Sequence, residues 1–138
     1  MSEMPIRLHH GAVSVPNLDQ SIAWYQKMLG FEVEQRVRIP GQPVEFAMLK
    51  RGDLRVELFA AENSKPMEAN RREPNTAFLS QGSLHFAFAV PDARALAESL
   101  RERGADIVWI QDFPWGSNAF IRDNAGNLIE FVQQKDMA

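Results

Sequence analysis

The chain contains no cysteine. Disulfides and thiolate ligands are therefore excluded, and any metal bound here is held by nitrogen and oxygen. No apolar run approaches the roughly 20 residues that a membrane-spanning helix needs, so a membrane is not an expected partner. Nor is nucleic acid: 15 Lys and Arg stand against 18 Asp and Glu, for a net charge of -3, and the basic residues are scattered. The opening Met-Ser-Glu-Met-Pro lacks the basic-then-apolar pattern of a secretory leader, and a cytoplasmic location is the default expectation. Histidine is scarce, with three in 138 residues, so each position carries information. A chain of this length makes one compact domain, or two small modules fused through a shared sheet.

What is present is a repeat. His10-Gly-Ala-Val-Ser-Val15-Pro16-Asn17 and His85-Phe-Ala-Phe-Ala-Val90-Pro91-Asp92 share a His opening an apolar run, then Val-Pro, then a helix-capping residue. Each copy continues through a helical segment to a Gly, Gly30 or Gly104. Each then reaches a strand with a Glu at its centre. Glu57 lies 47 residues after His10, and Glu130 lies 45 after His85.

Taken in order, residues 6–15 read as a strand. Leu18, Ile22, Tyr25 and Leu29 recur at helical spacing, with Asn17 or Asp19 to cap the start and Gly30 the end. Strands follow at 31–38, 44–50 and 54–59, the last two joined by a tight turn at 51–53. The second copy predicts a strand at 84–90, a helix striped by Ala93, Leu96, Ala97 and Leu100, and strands at 105–110, 118–122 and 128–133. A loop is expected at 111–116. Between the copies, residues 61–80 are polar, proline-punctuated and aperiodic, and read as a linker crossing the surface; a lid or substrate-side wall is the lesser alternative. The expected fold class is α+β, with two tandem βαβββ modules in a curved mixed sheet around a central metal cleft. The chain is one domain over 1–138, with module one at about 5–61, the linker at about 62–80 and module two at about 81–135.

Strand side chains alternate between faces. Leu84, Phe86, Phe88 and Val90 form one bulky row, which leaves His85, Ala87 and Ala89 opposite. Gly11, Val13 and Val15 match the packing row, and His10, Ala12 and Ser14 match the row of His85. This parity selects His10 over His9. Glu57 likewise lies opposite the apolar row of Leu54, Val56 and Leu58, and Glu130 opposite Ile129 and Phe131.

A single strand His or Glu is more often hydrogen-bonded or ion-paired than metal-bound. The sharpest competing reading is an ion-pair network with Arg36, Arg38 or Arg122. The conjunction of two His and two Glu at matching repeat positions points instead to a metal set of His10, Glu57, His85 and Glu130, if the modules face each other. Two imidazoles and two carboxylates suit Ni²⁺, Co²⁺, Zn²⁺, Mn²⁺ or Fe²⁺. Four ligands on an octahedral ion leave two adjacent positions for a substrate with neighbouring oxygens. The expected chemistry is proton transfer through an enediolate held by the metal, with Glu130 or Glu57 as base.

These residues resemble the vicinal-oxygen-chelate (glyoxalase/bleomycin-resistance/dioxygenase) superfamily. In the first half the resemblance rests on His10, Val15-Pro16-Asn17-Leu18, Trp24-Tyr25, Leu29-Gly30-Phe31 and Arg55-Val-Glu57-Leu-Phe59. In the second half it rests on His85 to Val90 and on Asp123-Asn-Ala-Gly126-Asn127-Leu-Ile-Glu130-Phe131. At the metal positions the chain is similar to bacterial glyoxalase I, whose His, Glu, His and Glu correspond to His10, Glu57, His85 and Glu130. The intact tetrad implies a lyase, isomerase or epimerase acting on a small oxygenated substrate. Two alternatives are an extradiol-type or other non-haem metal dioxygenase, with Glu57 off the metal, and a ligand-sequestering resistance-like protein. The resemblance weakens where glutathione is gripped: Ser14 stands in place of an Arg, and the Ala60-Ala61 region in place of an Asn. Trp115, Phe113 and Arg122 are candidates for the substrate pocket. A homodimer is expected, and the resemblance allows the site to form within one chain or by exchange of modules between two.

Overall fold

The computed structural model describes residues 4–137. Module one runs β1 (Gly11–Ser14), α1 (Leu18–Leu29), β2 (Glu32–Arg38), β3 (Val44–Arg51) and β4 (Leu54–Ala61). Module two runs β5 (Phe86–Val90), α3 (Ala93–Glu102), β6 (Asp106–Phe113), β7 (Gly116–Arg122) and β8 (Leu128–Gln133). Local chemistry explains the helix limits. The Asn17 side chain accepts a hydrogen bond from Gln20 N–H, so Asn17 rather than Asp19 caps α1, and Asp92 caps α3 through Ala95 N–H. Gly30 ends α1 in the left-handed region at φ 70°, where a side chain would be strained, and its N–H bonds back to the Gln26 carbonyl.

The strands form two four-stranded sheets of the same order, β1-β4-β3-β2 and β5-β8-β7-β6. In each, the first strand lies parallel to the last and the remaining pairs are antiparallel. A bulge interrupts β2 between Val33 and Gln35, and another interrupts β6 between Ile107 and Trp109, at the corresponding place in the repeat. The helix-facing rows are buried: Val56 and Leu58 of β4, Ala47 and Leu49 of β3, Ala119 and Ile121 of β7, and Ile129 and Phe131 of β8. They join Tyr25, Phe31 and Leu100 in one core that takes residues from both modules. Each fully buried Leu, Ile or Phe contributes about 1.5–3 kcal/mol.

Polar contacts also cross between the modules. Tyr25 Oη donates to Asp123 Oδ2 at 2.7 Å, and Ser21 Oγ donates to Asn124 Oδ1 at 3.0 Å. At the seam, a Cβ on Gly11 would lie 3.1 Å from the Phe86 ring, so a hydrogen at this position lets β1 approach β5.

Three expectations need correction. The strands expected at 6–15 and 84–90 span only Gly11–Ser14 and Phe86–Val90, so His10 and His85 each stand just before a strand. Residues 111–116 are not a loop: β6 continues to Phe113 and β7 starts at Gly116, leaving Pro114-Trp115 as the turn. The ladder persists because Gln111 pairs with Asn118 and Asp112 with Ser117, and the Ser117 hydroxyl donates to Asp112 Oδ1 at 2.7 Å. The segment between the modules is also more than a surface crossing. It forms a 3₁₀ turn (Ala69–Arg72) and a short helix α2 (Pro74–Ala77). The buried Ala77 packs with Phe120, Leu128, Val108 and Trp109.

Candidate metal centre

The two sheets present the same small construction twice. In module one, the parallel register sets Ala12 beside Glu57. His10 stands just before β1, two residues ahead of Ala12, and its Nε2 lies 3.4 Å from Glu57 Oε1. Its Nδ1 is 2.7 Å from His9 Nδ1, so one of those two nitrogens carries the proton. In module two, Ala87 lies beside Glu130, His85 is two residues before it, and His85 Nε2 is 3.2 Å from Glu130 Oε1. The Phe120 ring packs edge-on against His85 at 4.8 Å, and Trp109 packs against Phe120. Asn118 Nδ2 donates to Glu130 Oε2 at 2.9 Å.

Both carboxylates are mostly shielded, with side-chain exposures of 14% for Glu57 and 19% for Glu130. A shielded carboxylate is costly unless something compensates its charge. The ion-pair alternative does not supply that compensation. Arg36 is held by Asp19 and Glu45, Arg38 by Glu62, and Arg122 by Asp106 and Glu73. Arg55, two residues from Glu57, makes a paired contact to both oxygens of Glu34. That contact holds the Glu34 carboxyl below its ordinary range. Among the described residues, no Arg or Lys pairs with Glu57 or Glu130.

As donors the four side chains fit a borderline divalent cation, each pair offering one imidazole nitrogen and one carboxylate oxygen. They do not gather in one chain. Among the described residues, no group of three His, Asp or Glu is placed to hold an ion. The chain carries two separate His–Glu pairs.

Residues 7–131 match the Glyoxalase/Bleomycin resistance protein/Dioxygenase superfamily. The chain belongs to this superfamily. It is 28% identical over 133 residues to the lactoylglutathione lyase of Neisseria meningitidis, covering 94% of this chain and 92% of that protein. It is 29% identical over 130 residues to an ethylmalonyl-CoA/methylmalonyl-CoA epimerase of Cereibacter sphaeroides, covering 94% and 90%. The crystal structure of a glyoxalase family protein from Enterococcus faecalis superposes with a TM-score of 0.76 over 91% of this chain and 95% of that one. At 22% identity, that likeness speaks for the fold.

The three pocket candidates of this superfamily member are placed differently. Phe113 and Trp115 stack on each other at the tip of the β6–β7 hairpin, and both are exposed. Arg122 is not a free anion receptor. It donates to the Arg72 carbonyl at 2.8 Å and pairs with Asp106 and Glu73, tying the intermodule segment to β7. A cavity of about 340 Å³ lies at the seam, lined by Gly11–Ser14, Ser83–Phe86, Met67, Arg71, Asn127 and Leu128. His85 reaches this cavity, and the intermodule segment supplies part of its wall through Met67 and Arg71. Asn118 adjoins Glu130 and Phe120 adjoins His85; the sequence marks Phe120 as a core or pocket-wall aromatic but gives no signal for Asn118. The alternation Asn118-Ala-Phe120-Ile-Arg122 sets them on one face, but only the register of β7 against β8 brings that face to Glu130.

Proposed function

We propose that the protein is a glyoxalase-like lyase or epimerase that moves a proton on a small substrate bearing two neighbouring oxygens. His10, Glu57, His85 and Glu130 would hold a divalent cation, Ni²⁺, Co²⁺, Zn²⁺, Mn²⁺ or Fe²⁺. The observation that carries this reading is the pair of His–Glu contacts at equal register, neither neutralised by Arg or Lys. Its relatives named a lyase and an epimerase support proton transfer as the reaction class.

When bound, the cation would accept the two substrate oxygens as ligands and would stabilise negative charge developing on oxygen as the adjacent carbon loses its proton. The chain's own residues do the rest. The imidazoles of His10 and His85 each present Nε2 toward their glutamate and anchor that side of the cleft. A carboxylate oxygen of Glu130 or Glu57 takes the proton from carbon. Returning that proton to the neighbouring carbon isomerises the substrate; epimerisation instead needs the other glutamate to deliver a proton to the opposite face of the same carbon. Because each chain carries its pairs apart, we assign the complete set to two copies of the chain, one lending His10 and Glu57 and the other His85 and Glu130. Met4, Ile6 and Leu8, exposed on the segment leading into His10, offer apolar surface for that association.

The test measures bound metal after chelator-free purification, and then binding by mixtures of His10→Ala/Glu57→Ala with His85→Ala/Glu130→Ala. Neither double variant should bind alone, and refolding them together should restore one site in each mixed dimer, about a quarter of the wild-type sites after random pairing. No metal in the wild type, with no rise in melting temperature on adding any of the five cations, refutes the metal reading. No recovery in the mixture refutes the two-copy arrangement. Lactoylglutathione and methylmalonyl-CoA, named in the relatives, are the first compounds to assay, by carbon-bound deuterium uptake from D₂O. Oxygen-dependent turnover that survives Glu57→Ala would favour a dioxygenase instead.

A further inference from the structure

The two half-sites occupy equivalent places in the repeat but are not built alike. In module two, Phe120 sits opposite Glu130, and Asn118 lies two residues along β7 on the same face. Asn118 is only 9% exposed. Its Nδ2 donates to Glu130 Oε2, and its Oδ1 is buried without a partner. The other oxygen of Glu130, Oε1, faces His85 Nε2. In module one, the register sets Met48 opposite Glu57 and Phe46 opposite Phe59, so Phe46 holds the place that Asn118 has in module two. Phe46 packs on Phe59, with ring centroids 5.4 Å apart. Among the described residues, no side chain other than His10 pairs with Glu57.

Asn118 leaves one amide oxygen buried without a partner and directs its Nδ2 at Glu130. What the amide provides is a hold on one carboxylate oxygen. A glutamate tethered at Oε2 has fewer rotamers to lose on binding a cation, and it presents Oε1 in one direction.

We propose that Asn118 is a positioning residue. It holds Glu130 by Oε2, so that Oε1 alone is offered beside His85 Nε2, and it makes module two the preorganised half of the site. This rests on the reading that His85 and Glu130 are metal ligands. Asn118 touches neither cation nor substrate and acts through Glu130.

The experiment titrates Co²⁺ into the full-length chain and follows visible absorption, with no turnover required. Asn118→Ala removes the amide. Asn118→Leu also removes it but keeps the volume and an apolar contact surface, so β7 stays packed; the melting temperature of the metal-free variant verifies this. Both should bind Co²⁺ about 10–100-fold more weakly than wild type, with an altered absorption band. In a Glu130→Ala background, Asn118→Leu should change affinity by less than about twofold, because the group it positions is gone. Wild-type affinity and band shape in Asn118→Leu would overturn the proposal. An equal loss with and without Glu130 would also overturn it, since it would mark general damage. A wild-type protein that binds no Co²⁺ overturns the metal reading itself, which is a separate result.

Discussion

Tyr25→Phe deletes one oxygen at the junction between the modules. Tyr25 is fully buried and Asp123 nearly so. Asp123 accepts four hydrogen bonds, from Tyr25 Oη at 2.7 Å, from Ala125 and Asn127 N–H at 2.9 Å each, and from Asn127 Nδ2 at 3.0 Å. The substitution leaves three, so the carboxylate remains compensated and the fold survives. Losing a buried hydrogen bond to a charged acceptor costs about 1.5–3 kcal/mol, or about 5–10 °C in melting temperature for a chain of this size. The effect has a pH signature. Burial, and then the Asp123 carboxylate, push the Tyr25 hydroxyl well above its ordinary value of 10.0. A folded-state value above the unfolded one gives stability that is complete below about pH 10 and is lost as pH rises toward the folded value. The wild-type advantage over Tyr25→Phe should therefore shrink by about 1.4 kcal/mol per unit above about pH 10 and vanish near about pH 11–12. Urea denaturation followed by tryptophan fluorescence at pH 7, 9, 10 and 11 measures the gap. Tyr25 is the single tyrosine, so tyrosinate absorbance reports this residue alone and should be absent from native protein at about pH 10.5. Equal stabilities at pH 7, or a gap that stays constant to pH 11, would refute the reasoning.

Two further outcomes follow from local structure. Asp92→Ala removes the side-chain cap that Ala95 N–H donates to, and chemical denaturation should register a loss of about 0.5–2 kcal/mol. Arg122→Ala releases the Arg72 carbonyl and the Glu73 and Asp106 carboxylates. Limited proteolysis should then cut residues 62–80 faster than in wild type, while the Co²⁺ affinity of the His–Glu pairs stays unchanged; an unchanged cleavage rate would show that Ala77 packing alone holds the segment.

The strand–helix–three-strand order was readable from the chain because its signals are short-range. Helical spacing from Leu18 to Leu29, the caps at Asn17 and Asp92, and the Gly after α1 each act within a few residues. Alternation along residues 10–15, 54–59, 85–90 and 128–133 also predicted which face each candidate His and Glu takes, and the doubled motif related one pair to the other. Residues 111–116 misled for a physical reason. Pro114 and Gly116 are turn residues, but the cross-strand pairs of Gln111 and Asp112 carry β6 through most of the segment.

Other features depend on partners far away in the chain, and no local pattern encodes them. Which arginine neutralises which acid was decided by packing: Arg36, Arg38 and Arg122 all found partners away from Glu57 and Glu130. The polar-looking linker docked on Phe120 and Trp109 because Ala77 is small enough to be buried there. Asn118 reached Glu130 through the β7–β8 register alone. Composition and periodicity specify which face a side chain takes, because neighbours along the chain impose that choice. Whether two such faces meet is set by long-range geometry, and here it brings each His to its own Glu and keeps the two pairs apart in one chain.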